Sequence, residues 1–434
     1  MNLIAPVLYR FSELWLERDI SSKLELLRKH HTLAMDERAR IHRTNVIETV
    51  KRAASDVPHY RDLFRKISFN PEKLEKDFSY FEDIPFLTKE IIQNDPARLL
   101  SGSLKDLPRH ERKTGGSTGL TMTVFYSDEA LDWTAAANRW AIEQTGRSLL
   151  QKEVHLSSKM SWDNIPWRDK ARERVKCLAM NRTNVYTEEF SSAGFDLLLH
   201  DLKQAAPHII QGHPSTLYLL ALHLKNKGVS GGFRFKAFES TGESIDRDKA
   251  ALIEKTFGCR VYNRFGNAEF GVLAHSKNSI DKLEVLDSMV YAENLIYGEG
   301  IPEIVLTGIK NPLMPFIRYR TGDIGEVTGS FGDQVILGVQ GRVHDTLQFN
   351  GKVIPTHFIK DSLERIGGLD EFQIIQKTDG TLTVKLVVPE TSRLDPLVAK
   401  IHEILGDQVS VERSTLSQLK RVGWRDKFRY LVKE

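Results

Sequence analysis

Apolar and polar positions follow two rhythms along this chain. Between residues 21 and 55, apolar side chains recur every three or four positions, as in Leu24 with Leu27 and Val46 with Val50. That spacing predicts helix, and Pro58 closes the stretch. Residues 59–100 read as mixed helix and loop. The rhythm then shortens. Residues 121–126 (TMTVFY) carry the β-branched and aromatic side chains of a strand, and residues 128–145 read as a helix capped by Asp128. The runs 154–158, 208–212, 234–240 and 259–266 read as further strands, with helices between them, notably at 214–227 and 246–257. Strands alternating with helices predict a parallel or mixed sheet with helices on its faces.

Residues 303–307 and 316–320 predict more β structure, followed by Gly-rich turns through 322–341. After residue 345 the pattern changes. A helix at 357–366 precedes a hairpin of 371–377 and 381–388 around Asp379-Gly380, and a helix at 395–405 precedes an extended run at 408–413. The expected fold class is therefore α/β. A large N-terminal domain, residues 1–343, has mixed sheets and flanking helices. A small, mobile α+β domain covers residues 344–434.

Composition narrows the function classes. A chain of 434 residues with 41% hydrophobic and 27% charged residues has enough apolar material for two or three packed domains. With 61 basic and 58 acidic residues it lacks the basic surplus of a nucleic-acid binder. Cys177 and Cys259 belong to no Cys-x-x-Cys pair, which argues against structural zinc and for a reducing, cytoplasmic setting. Residues 1–20 are mildly apolar, but they lack a basic leader and are interrupted by Arg10, Glu13, Glu17 and Arg18, unlike a signal peptide. No window approaches the roughly 20 apolar residues of a transmembrane span. A helix at residues 3–16 either packs on its own domain or touches a membrane surface.

The candidate chemistry begins at Thr114-Gly115-Gly116-Ser117-Thr118-Gly119. Three glycines in six residues allow a tight backbone turn with N–H groups pointing inward, and the hydroxyls of Thr114, Ser117 and Thr118 add donors. Such a loop suits anionic oxygens. It is neither a Walker loop nor a dinucleotide fingerprint. Taken alone, it reads equally as a plain turn.

Further blocks give it weight. They are Ser240-Thr241-Gly242-Glu243; Phe265-Gly266-Asn267-Ala268-Glu269; Tyr319-Arg320-Thr321-Gly322-Asp323; Gly341-Arg342-Val343-His344-Asp345; and the C-terminal Lys427-Phe428. In this order they resemble the adenylate-forming superfamily of acyl-CoA synthetases and related ligases, from about residue 85 to the C-terminus. The resemblance implies that Thr114 to Gly119 grip the ATP phosphates. It implies that Gly242, Glu243, Phe265 and Gly266 line the adenine pocket, that Glu269 holds Mg2+, and that Asp323 accepts the ribose hydroxyls. It further implies that Arg342 meets the nucleotide, that His344–Asp345 form the hinge, and that Lys427 is the catalytic lysine. The chain departs from the family at Leu120-Thr121, where a basic residue is common, at Ala268 in place of Thr, and at His344 in place of Asp or Lys.

Val57-Pro58-His59-Tyr60-Arg61, Leu87-Thr88-Lys89-Glu90 and Gly212-His213-Pro214-Ser215 resemble the phenylacetate–CoA ligase branch, which includes capsule-biosynthesis proteins of the CapK type. The expected activity is ATP-dependent activation of a small carboxylic acid as an acyl-adenylate. Transfer then goes to CoA, a carrier-protein thiol or a sugar-linked acceptor, in polysaccharide or related biosynthesis. Two alternatives stand beside it: a transferase that leaves AMP on its acceptor, and a ligase-like assembly factor without strong catalysis.

Overall fold

A computed structural model describes residues 4–114, 122–158, 166–187, 189–229, 232–297, 301–342, 346–349, 352–364, 366, 368–390, 392–422 and 427–434. The chain divides into two compact units. One comprises residues 1–150 and 262–339, and the other residues 151–261 and 340–434.

The first unit starts with helices Ile4–Trp15, Ile20–Thr32 and Met35–Asp56. The expected single helix over 21–55 is broken because Leu33 and Ala34 adopt extended backbone. Pro58 opens the next helix, Pro58–Lys66, where its missing N–H costs nothing. The first helix packs through Ala5, Tyr9 and Glu13, while Ile4, Val7, Phe11, Leu14 and Trp15 are exposed. Among the described residues no helix is long and apolar enough to cross a membrane.

Strands Arg109–Thr114 and Met122–Ser127 pair antiparallel, with Thr114 opposite Met122, so the candidate phosphate loop joins a hairpin. Helix Asp128–Glu143 follows. Its cap is Ser127, whose side chain accepts from the Ala130 N–H, and not Asp128 as the sequence had suggested. Downstream, strands Val290–Tyr297, Ile301–Gly308 and Tyr319–Thr328 lie side by side, and strands Lys282–Val285 and Gly271–Ser276 neighbour each other. Much of the expected Gly-rich turn region, 322–341, is strand: Tyr319–Thr328 continues through it and Val335–Arg342 follows. Gly325 explains the misreading. It is a packing glycine whose Cβ would come within 2.9 Å of Ile304.

In the second unit, four parallel strands run in the order Ala237–Thr241, Ile209–Gly212, Glu153–Ser158, Arg182–Thr187. The wholly buried Ile209–Gly212 is the apolar strand of a sheet covered on both faces. Gly212 must be glycine, because a Cβ there would sit 2.7 Å from the Leu156 carbonyl oxygen. Helices Pro214–Asn226 and Arg247–Phe257 join these strands into the chain.

The C-terminal residues of this unit form a sheet ordered Ser410–Arg413, Leu382–Val387, Glu371–Gln376, Leu431–Lys433, with helices Thr356–Glu364 and Asp395–Leu405. Their apolar cluster, among the described residues, runs from Leu347 to Leu431. The hairpin around Asp379-Gly380 forms as expected, with Gly380 at φ +84°.

Candidate active site

Within the first unit, three sequence blocks meet. The hairpin of Thr114 is tied to the Phe265–Glu269 block by Tyr126, whose hydroxyl donates to the Ala268 carbonyl at 2.7 Å. Burial pushes the Tyr126 phenol above its ordinary pKa, so it stays a donor. Glu269 is half-buried and accepts from the Tyr319 hydroxyl at 3.3 Å, which brings in the Tyr319–Asp323 block. Leu87, from the Leu87–Glu90 segment, pairs with Tyr319 through Leu87 N–H to Arg318 and Arg320 N–H to Leu87, both at 3.0 Å.

Asp323 is buried beside a left-handed Gly322 at φ +75°. Buried Glu303 organises that bend. One of its oxygens accepts from the Gly322 N–H at 2.9 Å and the other from Arg320 at 3.1 Å. Phe265 packs in the buried core of the unit. Gly266 lies so close to the neighbouring strand that a Cβ would meet the Gly271 carbonyl oxygen at 2.5 Å. Gly115, Gly116, Ser117, Thr118 and Gly119 lie outside the described residues, as does the side chain of Thr114.

Within the second unit, three more segments meet at Glu243. It follows Gly242, which takes φ +81° after strand Ala237–Thr241. One carboxylate oxygen accepts from the Ser215 N–H at 3.3 Å, at the start of helix Pro214–Asn226, where the helix dipole favours an anion. The other accepts from the Phe428 N–H at 3.1 Å and lies 3.7 Å from His213 Nδ1. Gly212–Ser215, Gly242-Glu243 and Lys427-Phe428 therefore converge.

The short strand of Lys427 is itself pinned. Val422 pairs with Lys427, and buried Gln373 donates to the Lys420 and Arg429 carbonyls at 2.7 and 2.9 Å. The Lys427 and Arg342 side chains, and His344 and Asp345 entirely, lie outside the described residues. The backbone of Arg342 ends strand Val335–Arg342.

Sequence reasoning missed Tyr126, Glu303 and Gln373. A polar row across the parallel strands, His155 with Gln211 at 3.2 Å and Gln211 with Glu239, was also missed. Its signal was present: each is a polar residue interrupting an apolar strand, all at one register.

A magnesium ion takes one or two carboxylates and completes its shell with phosphate and water oxygens. Among the described residues no group of three or more His, Cys, Asp or Glu is poised to hold a metal by itself. Glu269, half-buried and accepting from the Tyr319 hydroxyl, is a carboxylate of the type such an ion takes.

No protein-family model matches the chain. It is similar to Protein CapK of Staphylococcus aureus, 21% identical over 352 residues that cover 79% of this chain and 76% of that protein. It is also similar to a phenylacetate-coenzyme A ligase of Pseudomonas putida, 24% identical over 342 residues, 74% of each. Its fold is that of 2-hydroxyisobutyryl-CoA ligase, solved in the postadenylation state. The TM-score is 0.68 at 17% identity, over 93% of this chain and 91% of that one. The chain is therefore similar in sequence to CapK and the phenylacetate–CoA ligases, and it shares the fold of an acyl-CoA ligase that forms an adenylate.

Proposed function

We propose that this chain is an AMP-forming ligase, which activates a small carboxylic acid with ATP and passes the acyl group to the thiol of CoA or to a related acceptor. The contact between the Phe428 N–H and Glu243 carries the reading. It joins the C-terminal lysine motif to the adenine-pocket motif, two blocks picked out separately in the sequence.

In the first half-reaction a carboxylate oxygen attacks the α-phosphorus of ATP, the bond to the bridging oxygen breaks, and pyrophosphate leaves. Both reactants are anionic, so the protein's task is alignment and charge neutralisation. Lys427 supplies positive charge between carboxylate and α-phosphate. Thr114 to Gly119 hold the phosphates, Asp323 the ribose hydroxyls, and Gly242, Glu243, Phe265 and Gly266 the adenine, while Arg342 meets the nucleotide. Glu269 would hold Mg2+, which offsets phosphate charge when bound. In the second half-reaction residues 344–434 turn about His344–Asp345, the acceptor attacks the acyl carbonyl, and AMP leaves. The similarity to CapK supports a role in polysaccharide or related biosynthesis, and the sparse, unpaired cysteines support a cytoplasmic setting.

The test is acid-dependent exchange of labelled pyrophosphate into ATP across a panel of carboxylic acids, with and without CoA. Lys427→Ala should lower exchange by about 100-fold or more while sparing transfer from a supplied acyl-adenylate. Exchange that survives in this variant removes Lys427 from the adenylation step. AMP found attached to the product by mass spectrometry would replace ligation with adenylyl transfer.

A further inference from the structure

The contact of Glu243 with the lysine strand is followed by several more, from helices Arg247–Phe257 and Pro214–Asn226 to the C-terminal residues of the same unit. Lys249, in the first turn of its helix, is buried. Its ammonium donates to Glu371 and to the Tyr430 hydroxyl, each at 2.7 Å. It also lies 4.9 Å from the centre of the Tyr218 ring and 5.2 Å from that of Tyr430, within cation–π range of both. Asp246, the cap of the same helix, pairs with Lys360 at 2.9 Å, and the Tyr218 hydroxyl donates to the Asp370 carbonyl at 3.0 Å.

The chemistry of this junction matters. Burial alone would push the Lys249 pKa down, but the charges of Glu371 and Asp246 outweigh it and hold the ammonium firmly protonated. A junction of apolar side chains would expose oily surface on opening. The ion pairs here return each charge to water, where it is stable alone, yet they resist partial opening because a buried unpaired ammonium is costly. It favours two states, fully closed and fully open. The C-terminal cluster running from Leu347 to Leu431 keeps its own packing in either.

We propose that Lys249, Glu371 and Tyr430 form a latch that holds the C-terminal residues in the adenylating arrangement and must release before acyl transfer. The three are positioning residues that set the balance between the half-reactions. This inference rests on the ligase reading above.

Glu371→Gln and Tyr430→Phe test it, since both preserve side-chain volume. Tyr430→Phe also keeps the ring against Phe372 at 4.9 Å. Pyrophosphate exchange should fall about tenfold in each, while acyl transfer from a supplied adenylate is unchanged or faster. Amide hydrogen exchange should rise in Arg247–Phe257 and Glu371–Gln376. Equal losses in both half-reactions, or no change in either, would overturn the latch. A wild-type protein without acid-dependent exchange would instead overturn the ligase reading. The hydrogen-exchange arm needs no turnover and decides in that case whether these side chains hold the junction.

Discussion

Asp287 in the first unit and Lys249 in the second are each a buried charge met by partners from distant segments, yet they sit in different surroundings. Asp287 receives His30 at 3.0 Å and Arg38 at 3.0 and 3.1 Å, from the helices Ile20–Thr32 and Met35–Asp56. Those helices also contribute Leu24, Leu27, Val46 and Val50 to one apolar cluster with Leu286, Met289 and Val290 on either side of Asp287. The charge lies inside a shared core. At Lys249 the ammonium joins helix Arg247–Phe257 to Glu371 and Tyr430, beside the C-terminal cluster that runs from Leu347 to Leu431 among the described residues. A charge within a core fixes a register that stays fixed, whereas a charge at a junction between clusters can let go.

That contrast breaks most directly at Asp287. Asp287→Ala leaves Arg38 and His30 facing a partly closed, uncompensated site. Removing one partner of a buried pair costs about 3–5 kcal/mol. Urea unfolding should show that loss as a lower midpoint, while Glu371→Gln costs global stability far less. Equal losses at the two sites would erase the distinction.

Acid sharpens it next. Burial, the largest influence, holds His31 and His42 at a pKa of about 4, so both are neutral in the fold. His42 Nε2 faces the Val290 carbonyl at 3.0 Å and its Nδ1 accepts from the Gly332 N–H at 3.4 Å, a pairing that only the neutral ring satisfies. The unfolded chain takes up these protons near pH 6.5, so stability present above 6.5 is lost as the pH falls from 6.5 to about 4. Each histidine contributes a slope of about 1.4 kcal/mol per pH unit. Burial raises Asp287, but His30 and Arg38 outweigh it and the net pKa is depressed. Its stabilisation is present above the ordinary carboxylate pKa and is lost only at lower pH, as the pH falls through the depressed value. The expected unfolding curve therefore has two acid limbs. His42→Gln should lower the slope of the upper limb by about half, leaving the His31 share and the lower limb; an unchanged upper limb would dismiss His42 as a source.

Much of this was legible in the sequence. The apolar run 208–212, the helices after Pro214 and Asp246, and the Asp379-Gly380 hairpin each follow from local pattern. The broken helix did not, because neither Leu33 nor Ala34, which take extended backbone, is a helix breaker by type. Strand Arg182–Thr187 was unread because it is an edge strand with a weakly alternating pattern. The candidate site divides the same way. Its motifs and their order stand in the chain, but the side chains that position them do not advertise themselves. Lys249 reads as an ordinary solvated lysine until the fold brings Glu371, 122 positions away, within 2.7 Å.

The smallest expected effect lies at Tyr126, where a neutral hydrogen bond does for the phosphate hairpin what charges do elsewhere. Tyr126→Phe keeps the buried ring, over which Arg112 sits at 4.7 Å, and removes only the donor to Ala268. A single neutral hydrogen bond contributes about 1 kcal/mol, with more lost if the carbonyl stays dry. Global stability should fall by about that amount, and the KM for ATP in pyrophosphate exchange should rise a few-fold, on the order of the same energy. The kcat of that exchange should stay close to wild type, because the hydroxyl touches no reacting atom and serves only to seat the hairpin beside Glu269. A KM rise without a stability loss would move Tyr126 into direct contact with the nucleotide. A stability loss without a KM rise would detach the hairpin from ATP binding altogether, and with it the reading of Thr114 to Gly119 as the phosphate grip.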